Sequence, residues 1–496
     1  MQKLLEIKGE DWLKGFSVQP TLARGGLFQS GTGFNPFEME GYLLPALSAT
    51  ELTAPVTSPV KVLTHWSNGA TETVYAHSES KLYAYLRNSP YTQSDQTAQI
   101  DITGPNGNTN CAGAIIWNNR YIYSQDTDVR SNILPVASGS DVQILNGSSS
   151  LSDLDYRKLE IGPNKNLYVA DGDGVGLIVL ATGTTGNLLP SASNAGTLVI
   201  EAGLCVRDLV NDGQYLVVFA DGNTRGGTTG KTTSRTTGNY TCRIYFWDCS
   251  NTSKTTADII YDIHGDSYII GAKMIGGVIY VFTYNGIYIC SSTTPPKLVW
   301  KFTGNSSIAK RPVNPYSITA AHDVIYWGDG ATNGQNVYAI KEGVLYAPYI
   351  SHGSTFSHTA LKYGGDDTVW AATTGPHLYA HNVGSTRGNA TLQTSIQQLS
   401  SPAKLSYIKV TLKTAMSSGM AVAMSMYDSN GTVIMDTNTK SFSANGALKK
   451  ILFLPLPAAG SVQEFEDFYL QMNPQAGANI QRVAVYGTLI DDHFQK

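Results

Sequence analysis

Asp262, His264 and Asp266, in the segment IIYDIHGDSYII, form the constellation of this sequence that is best suited to chemistry. Side chains at positions i, i+2 and i+4 of a β-strand share one face, so two carboxylates and an imidazole would be presented together. Such a set could hold a metal ion or act in acid/base catalysis. Gly265 favours a turn that would end this alternation. We therefore interpret the segment as turn and sheet-face hydrogen bonding, with a metal site as the alternative.

Two further pairs of polar residues are expected to have structural roles. His377 and His381 are four residues apart, which on a strand is a separation of about 13 Å, too far for one metal ion. Asp171 and Asp173 lack the spacing and the closing glutamate of a calcium loop, so we expect them to cap turns. The sequence contains no GxSxG, Walker-type glycine loop or HExxH motif. We therefore predict no catalytic residue, no metal and no cofactor.

The five cysteines form an odd set without a CxxC pair. Most lie in strand-like runs, where cysteine behaves as a small apolar residue. We predict buried, reduced thiols, with a Cys242–Cys249 disulfide as the alternative.

One stretch has a concentrated positive charge. Residues 222–239 (GNTRGGTTGKTTSRTTGN) contain Arg225, Lys231 and Arg235 and no acidic residue. A contact with DNA or phosphate is one interpretation, and a solvated loop is the other, which we favour. The formal net charge of the whole chain is only −4, so no global electrostatic attraction to nucleic acid or to an anionic membrane is indicated.

These residues lie on a repeating framework. Aromatic anchors inside short apolar runs recur at intervals of 46, 47, 47, 65, 46 and 44 residues, and the long interval contains the 18-residue Gly/Thr stretch. A unit of about 45 residues with paired strands is the size of a four-stranded propeller blade. We therefore predict an all-β protein with a seven-bladed β-propeller over residues 60–384 and an inserted loop at 222–239. The anchors are Tyr75, Tyr121, Tyr168, Tyr215, Tyr280, Tyr326 and Trp370.

Residues 1–59 do not share the repeat. Aromatic residues are scattered there among Gly, Pro and Ser, which favours an extended arm fixed to a surface by aromatic anchors. We also expect Tyr42 to Leu47 to add a strand to the final blade, because closure of the ring removes an exposed edge. The predicted anchors of the arm are Trp12, Phe16, Phe28, Phe34 and Phe37.

Residues 385–496 lose the period and predict a β-sandwich, jelly-roll-like domain. Asn430-Gly431 is a strong hairpin signal between two of its strands. The six expected strands cover residues 406–412, 421–427, 432–435, 451–454, 465–472 and 482–489.

The unit RKLEIGPNKNLYVADGDGVGLIVL, residues 157–180, resembles an NHL-type propeller repeat. The resemblance covers one repeat and implies the propeller architecture. The whole chain is also similar in organisation to tail and neck proteins of tailed bacteriophages. That similarity rests on the arm KGFSVQPTLARGGLFQSGTGFNPFE, the following GYLLP segment, the propeller and the closing QRVAVYGTLID.

The phage resemblance implies a structural virion protein of the tail, neck or nozzle, since the podovirus nozzle is similarly built around a propeller. It implies copies of the chain in a ring, other tail or neck proteins as partners, and DNA in a lumen as a further candidate. The N-terminus lacks the apolar core of a secretory signal, and no apolar run approaches membrane-spanning length. We expect synthesis in the host cytoplasm, no membrane insertion and a location in the virion.

The alternative is a carbohydrate-binding or carbohydrate-degrading propeller, such as a receptor-binding tail component. Glycoside hydrolysis needs two carboxylates about 5 to 10 Å apart. The candidates are Asp171, Asp262, Asp329, Asp366 and Asp367. A third interpretation is a general scaffold for protein interactions.

Overall fold

The fold is described from a computed structural model of the chain. The description covers residues 1–490 except 16–27, 35–40, 42, 53–58, 87–90, 102–110, 126–127, 146–155, 171–173, 181–185, 190–197, 202–203, 223–241, 250–256, 265, 267, 303–310, 332–335, 351–356, 366–367, 376, 382–386, 443–447 and 456–463. Within it, no helix has the length and apolar character needed to cross a membrane.

The chain begins with three strands that pair with strands near its other end. They are β1 (Gln2–Lys8), β2 (Phe28–Thr32) and β3 (Thr50–Leu52), and a 3₁₀ helix, Gly9–Leu13, follows β1. Each of the three pairs in antiparallel fashion with a strand more than 300 residues away. The N-terminal segment is therefore part of the sheets of the protein.

Residues 60–381 form seven consecutive antiparallel sheets, called ring sheets 1 to 7 below. Ring sheet 1 contains β4 (Val60–Ser67), β5 (Glu72–Ser78), β6 (Leu82–Leu86) and β7 (Thr92–Asp95); ring sheet 2 contains β8 (Cys111–Trp117), β9 (Arg120–Gln125), β10 (Asp128–Ile133) and β11 (Val142–Leu145); ring sheet 3 contains β12 (Leu159–Ile161), β13 (Leu167–Ala170), β14 (Gly174–Leu180), β15 (Gly186–Leu189) and β16 (Leu198–Val199); ring sheet 4 contains β17 (Cys205–Asn211), β18 (Leu216–Asp221), β19 (Cys242–Trp247) and β20 (Ile259–Ile263). Ring sheet 5 contains β21 (Ile269–Ile275), β22 (Val278–Thr283), β23 (Gly286–Ser291) and β24 (Thr294–Lys301); ring sheet 6 contains β25 (Ile318–Ala321), β26 (Val324–Gly328), β27 (Asn336–Lys341) and β28 (Val344–Ile350); ring sheet 7 contains β29 (His358–Tyr363), β30 (Val369–Thr373) and β31 (Leu378–His381), with β3 as its fourth strand.

The first strands of these sheets line a common centre. Each first strand contacts the first strand of the next ring sheet, and β29 of ring sheet 7 contacts β4 of ring sheet 1. The sheets therefore follow one another around a closed ring, which is a β-propeller arrangement.

The prediction of a seven-bladed propeller needs correction, because the described residues form six four-stranded blades rather than seven. The remaining unit, ring sheet 3, has five strands. Its seven-residue strand β14 pairs with β15 through Leu177–Leu180 and with the short β16 through Gly174 and Val175. Two short strands therefore share the edge that one strand occupies in a regular blade.

The repeated anchors occupy equivalent positions. Six of them are buried on the second strand of their ring sheets, and Tyr215 directly precedes the second strand, β18, of ring sheet 4. The predicted buried strand from Leu167 to Ala170 is confirmed as β13. The predicted insertion at 222–239 falls in the connection between β18 and β19, and residues 223–241 lie outside the described residues.

The C-terminal residues form seven strands within the description, and their arrangement as the predicted sandwich is not shown. Their strands are β32 (Thr391–Thr394), β33 (Gln397–Leu412), β34 (Ala421–Tyr427), β35 (Val433–Ser441), β36 (Lys450–Phe453), β37 (Glu464–Gln475) and β38 (Ile480–Leu489). Together with β1 and β2 they make one nine-stranded sheet, called the C-terminal sheet below. The 16-residue strand β33 links these strands, because it pairs with β37 at its start and with β38 and β36 along the rest.

The arm is fixed between the ring and the C-terminal sheet. The Trp12 ring is stacked with Phe28 at 6.0 Å, and its indole N–H donates to the carbonyl oxygen of Gln481 at 3.2 Å. From the ring side, the Tyr346 hydroxyl donates to the Trp12 carbonyl oxygen at 2.8 Å, and Phe34 meets Tyr346 edge to face at 5.5 Å. All these aromatic residues are buried in one cluster that continues into the C-terminal sheet. Phe16 and Phe37 lie outside the described residues.

The closing strand of the ring differs from the predicted one. Thr50 to Leu52, rather than Tyr42 to Leu47, pairs with Ala380 to Leu378 and completes ring sheet 7. Leu43 and Leu47 instead form isolated bridges to Ile480 and Arg387, so this part of the arm lies along the C-terminal strands.

Gly33 shows how closely the arm approaches both units. Its φ is +76°, its N–H donates to the carbonyl oxygen of Ala347 at 3.0 Å, and a Cβ there would lie 2.5 Å from the carbonyl oxygen of Asn389. Only glycine avoids both the strained backbone and that collision.

Substitution Trp12→Ala should lower the free energy of unfolding by about 3–5 kcal/mol, because it empties a buried site and removes the hydrogen bond to Gln481. Urea denaturation followed by circular dichroism measures the loss. Trp117→Ala is the matched control, since Trp117 is half-buried and its indole N–H likewise donates to a carbonyl oxygen, that of Lys165. An equal loss in both variants would contradict a special role for Trp12.

Candidate functional site in the central channel

The structure separates the three residues of the candidate metal site. Strand β20 ends at Ile263, so the alternation stops before His264, which is exposed in a turn. Asp262 accepts a hydrogen bond from Arg243 Nε at 2.6 Å, whereas buried Asp266 accepts one from the Thr283 hydroxyl at 2.6 Å. Among the described residues, no group of three His, Cys, Asp or Glu side chains is placed to hold a metal ion.

The carboxylates considered for glycoside hydrolysis are engaged elsewhere or lie outside the description. Asp262 is bound by Arg243 in ring sheet 4, and Asp329 is buried beside ring sheet 6, where it accepts from the Ala331 N–H at 2.9 Å. Residues outside the described parts of the chain are Asp171, Asp173, Asp366, Asp367 and the basic trio Arg225, Lys231 and Arg235.

The two histidines of ring sheet 7 have separate partners. His377 Nδ1 is 2.6 Å from Glu51 Oε1 of strand β3, so it links the closing strand to β31. His381 is buried and stacked with Tyr349 at 5.2 Å. Both therefore contribute to packing within and between blades.

The cysteines are free and buried, as predicted, and Cys242 and Cys249 are not joined. Burial is the largest influence on the Cys111 thiol, and it raises the pKa of this thiol to about 12. A thiol held in its protonated form is a poor nucleophile.

A cluster of ionisable groups lies at the centre of the ring, and the pKa values of its lysines and its tyrosine are shifted. We call it the channel cluster; its members are Lys158, Glu160, Asp208, Lys273, Tyr316 and Lys362. Four ring sheets supply its charged side chains: Lys158 directly precedes β12, Glu160 is on β12, Asp208 on β17, Lys273 on β21 and Lys362 on β29. Because first strands face the centre, residues distant in sequence converge there.

Asp208 is the fixed centre of the cluster. It is fully buried, and its carboxylate accepts from the backbone N–H groups of Leu209 and Ala272, each at 2.8 Å. Lys158 Nζ is 3.5 Å from Asp208 Oδ1 and 3.4 Å from Glu160 Oε2. One lysine is thus held by both carboxylates of the cluster.

The other two lysines are left with unfavourable electrostatics. Burial, and then the positive charge of Lys158, lower the pKa of Lys273 to about 7, although Asp208 and Glu160 act in the opposite direction. Burial and Lys158 also lower the pKa of Lys362. For Lys158 itself burial acts downward, but Asp208 and Glu160 outweigh it and raise the pKa. The carboxylates therefore stabilise one ammonium group at the expense of its neighbours.

Tyr316 reaches across the centre of the ring from the short 3₁₀ helix Pro315–Ser317. The helix is capped by the Asn314 side chain, which accepts from the N–H groups of Tyr316 and Ser317. The Tyr316 hydroxyl donates to the Arg157 carbonyl oxygen at 2.6 Å, and Lys158 Nζ lies 5.9 Å from the Tyr316 ring centroid. This hydrogen bond joins the segment entering ring sheet 6 to the segment entering ring sheet 3.

Two kinds of chemistry are open to the channel cluster. Protonated lysines on several strands can bind an anion through charge-assisted hydrogen bonds. A lysine whose pKa is near neutrality is partly unprotonated at pH 7 and can act as a nucleophile or base.

The repeat carried a signal for this site that motif searching does not detect. Lys273 and Asp208 each lie seven residues before a repeat anchor, and Lys362 lies eight before Trp370. A charged residue at that place falls on the first strand of its ring sheet. The sequence alone does not show that these charged residues lie close together, because only the closed ring brings the first strands to a common centre.

No protein-family model matches the chain, and no curated protein matches it. Solved structures similar in fold include a streptogramin B lyase (13% identity, 68% of this chain and 97% of that chain, TM-score 0.46). They also include a catalytically inactive virginiamycin B lyase from Staphylococcus aureus with quinupristin (10%, 68% and 98%, 0.45) and the WD40 β-propeller domain of Doa1 (11%, 70% and 98%, 0.43). At these identities and TM-scores the similarities carry no argument about activity or ligand.

The lysine environment is testable by titration. After reductive methylation with ¹³C-formaldehyde, NMR should show one dimethyl-lysine signal that titrates near pH 7, because Lys273 is uncharged above its lowered pKa of about 7 and charged below it. The signal should be missing from Lys273→Met and present in Lys297→Met, which changes an exposed lysine of the same ring sheet. Titration of every lysine near its ordinary pKa would contradict this description.

Proposed function

We propose that this protein is a structural component of a tailed-bacteriophage particle, a tail, neck or nozzle protein that assembles into a symmetric ring of copies. The support from sequence is the aromatic arm with KGFS, GGLF and GYLLP, and the closing strand with VYG. In this proposal the five-stranded ring sheet 3 counts as a seventh blade, because β12 contacts the first strands on both sides.

The observation that carries the proposal is the path of the N-terminal segment. Strand β3 completes ring sheet 7, whereas β1 and β2 pair with β38 and β32 of the C-terminal sheet. The ring and the C-terminal sheet are therefore joined by backbone hydrogen bonds and by a shared apolar core. A subunit built in this way can transmit force between its ends without separation of its two parts, as a component of a tail must.

The C-terminal sheet supplies a surface suited to contact between copies. Within the described residues, β36 pairs only with β33, so β36 is an edge strand. Leu452 on this strand and Leu454 just after it are 54% and 60% exposed. An open edge with exposed leucines is a template for pairing with another chain. In a ring of copies these residues would lie at the subunit interface.

Substitution of both Leu452 and Leu454 by glutamate should convert the assembled ring to monomer, because charge would be buried at the interface. Native mass spectrometry measures the change. The matched control is Leu298→Glu, which alters a leucine that is 43% exposed on β24 of ring sheet 5. A wild-type protein that is monomeric at micromolar concentration, and missing from purified particles in electron micrographs, would refute the proposal.

The basic trio provides an independent test of DNA contact. If copies surround a DNA passage, replacement of Arg225, Lys231 and Arg235 by glutamine should weaken DNA retention or ejection while assembly is unchanged, because phosphate contacts contribute salt-dependent affinity. DNA release from purified particles at increasing salt measures the effect. Glutamine at Lys297, Lys301 and Lys449 is the control, since these lysines are exposed on other strands and connections. Unaltered release and infectivity in the trio variant would exclude the contact.

A further inference from the structure

The channel cluster contains more cations than anions. Its three lysines face two carboxylates, and both carboxylates are within 3.5 Å of the same ammonium group, that of Lys158. Among the described residues, Lys273 and Lys362 form no ion pair with a carboxylate. Partly buried positive charge without a counterion is unfavourable unless a ligand supplies the missing charge.

We propose that the channel cluster is a binding site for a small oxyanion, of the phosphate or sulfate class, held by Lys158, Lys273 and Lys362. These lysines come from three different ring sheets, so they approach the centre from different directions. A tetrahedral oxyanion has oxygen atoms available to several such donors at once. The site is independent of the proposed structural role, because it lies inside one propeller.

The surroundings restrict the ligand to a small ion. The hydrogen bond from Tyr316 to Arg157 spans the centre of the ring, and a side chain in place of Gly113 would collide with the Arg157 carbonyl oxygen and the Tyr316 hydroxyl. A nucleic-acid strand therefore cannot occupy this part of the channel. The ligand that we propose is therefore a free inorganic ion, bound near Lys158 and the Tyr316 ring beside it.

Anion binding should be coupled to protonation. The ionisable groups that act on Lys273 are Lys158 and Glu160 from ring sheet 3 and Asp208 from ring sheet 4. Lys362 of ring sheet 7 and Tyr316 are neighbours of Lys158. A bound anion offsets the repulsion from Lys158 and so favours the charged form of Lys273. Above neutral pH, binding should therefore take up a proton, and the affinity should fall as the pH rises.

Isothermal titration calorimetry with inorganic phosphate at pH 6.5 tests the site, with sodium chloride at equal ionic strength as the reference. We expect saturable binding of one ion per chain, weakened about tenfold or more in Lys273→Met, because a charge-assisted contact is lost. Lys297→Met, on the outer strand of the same ring sheet, should bind like wild type. The proposal is overturned if wild type shows no saturable binding, or if both variants lose it equally.

A second experiment uses sulfate, whose charge does not change between pH 6 and 9. The wild-type affinity should fall across that range, whereas Lys273→Arg should bind with little pH dependence because arginine stays protonated. Because Lys273→Arg keeps a cation at this position, it can be used to test the site if Lys273→Met does not fold. An affinity that is independent of pH in the wild type, or lost in Lys273→Arg at every pH, would count against the site.

Discussion

Closure of the ring depends on one short antiparallel pair, Thr50–Leu52 with Leu378–Ala380. A sheet edge left open exposes unpaired N–H and C=O groups, and a propeller avoids this only if its last sheet is completed. Here the strand that completes it comes from the N-terminal segment rather than from the end of the repeat. The contact between Glu51 and His377 lies within the same pair of strands. The integrity of the propeller is therefore coupled to the N-terminal segment.

That coupling extends to the C-terminal sheet. Strands β1 and β2 of the N-terminal segment pair with strands β38 and β32 of the C-terminal sheet. Trp12 and Phe28 are buried in one apolar cluster with Trp327 and Tyr346 of ring sheet 6. A substitution in the arm should therefore destabilise both the propeller ring and the C-terminal sheet. The channel cluster, in contrast, is built from first strands of the ring sheets and the residues just before them, so none of its members belongs to the C-terminal sheet.

The sequence predicted what local patterns can encode. The aromatic anchors located the second strands, and the apolar run Leu167–Ala170 was found as a strand at its expected bounds. The six expected C-terminal strands all exist, because alternation and the turn at Asn430-Gly431 are local signals. The pairing of β1 with β38 and of β2 with β32 was not predicted, because pairing between distant segments has no local signal in the sequence. The same holds for the site: Lys158, Lys273 and Lys362 are each unremarkable in their own segments, and only ring closure brings them together.

The path of the arm also sets an order for biosynthesis. Residues Thr50–Leu52 leave the ribosome about 330 residues before their partner Leu378–Ala380. At ribosomal rates of roughly 5–20 residues per second, strand β3 remains unpaired for on the order of 15 to 65 s before its partner strand is synthesised. During that interval apolar residues such as Ile7 and Phe28, which are completely buried in the finished protein, have no partner strand. The strands of the N-terminal segment are thus exposed to aggregation during synthesis, and the propeller closes with a strand that is made long before its partner.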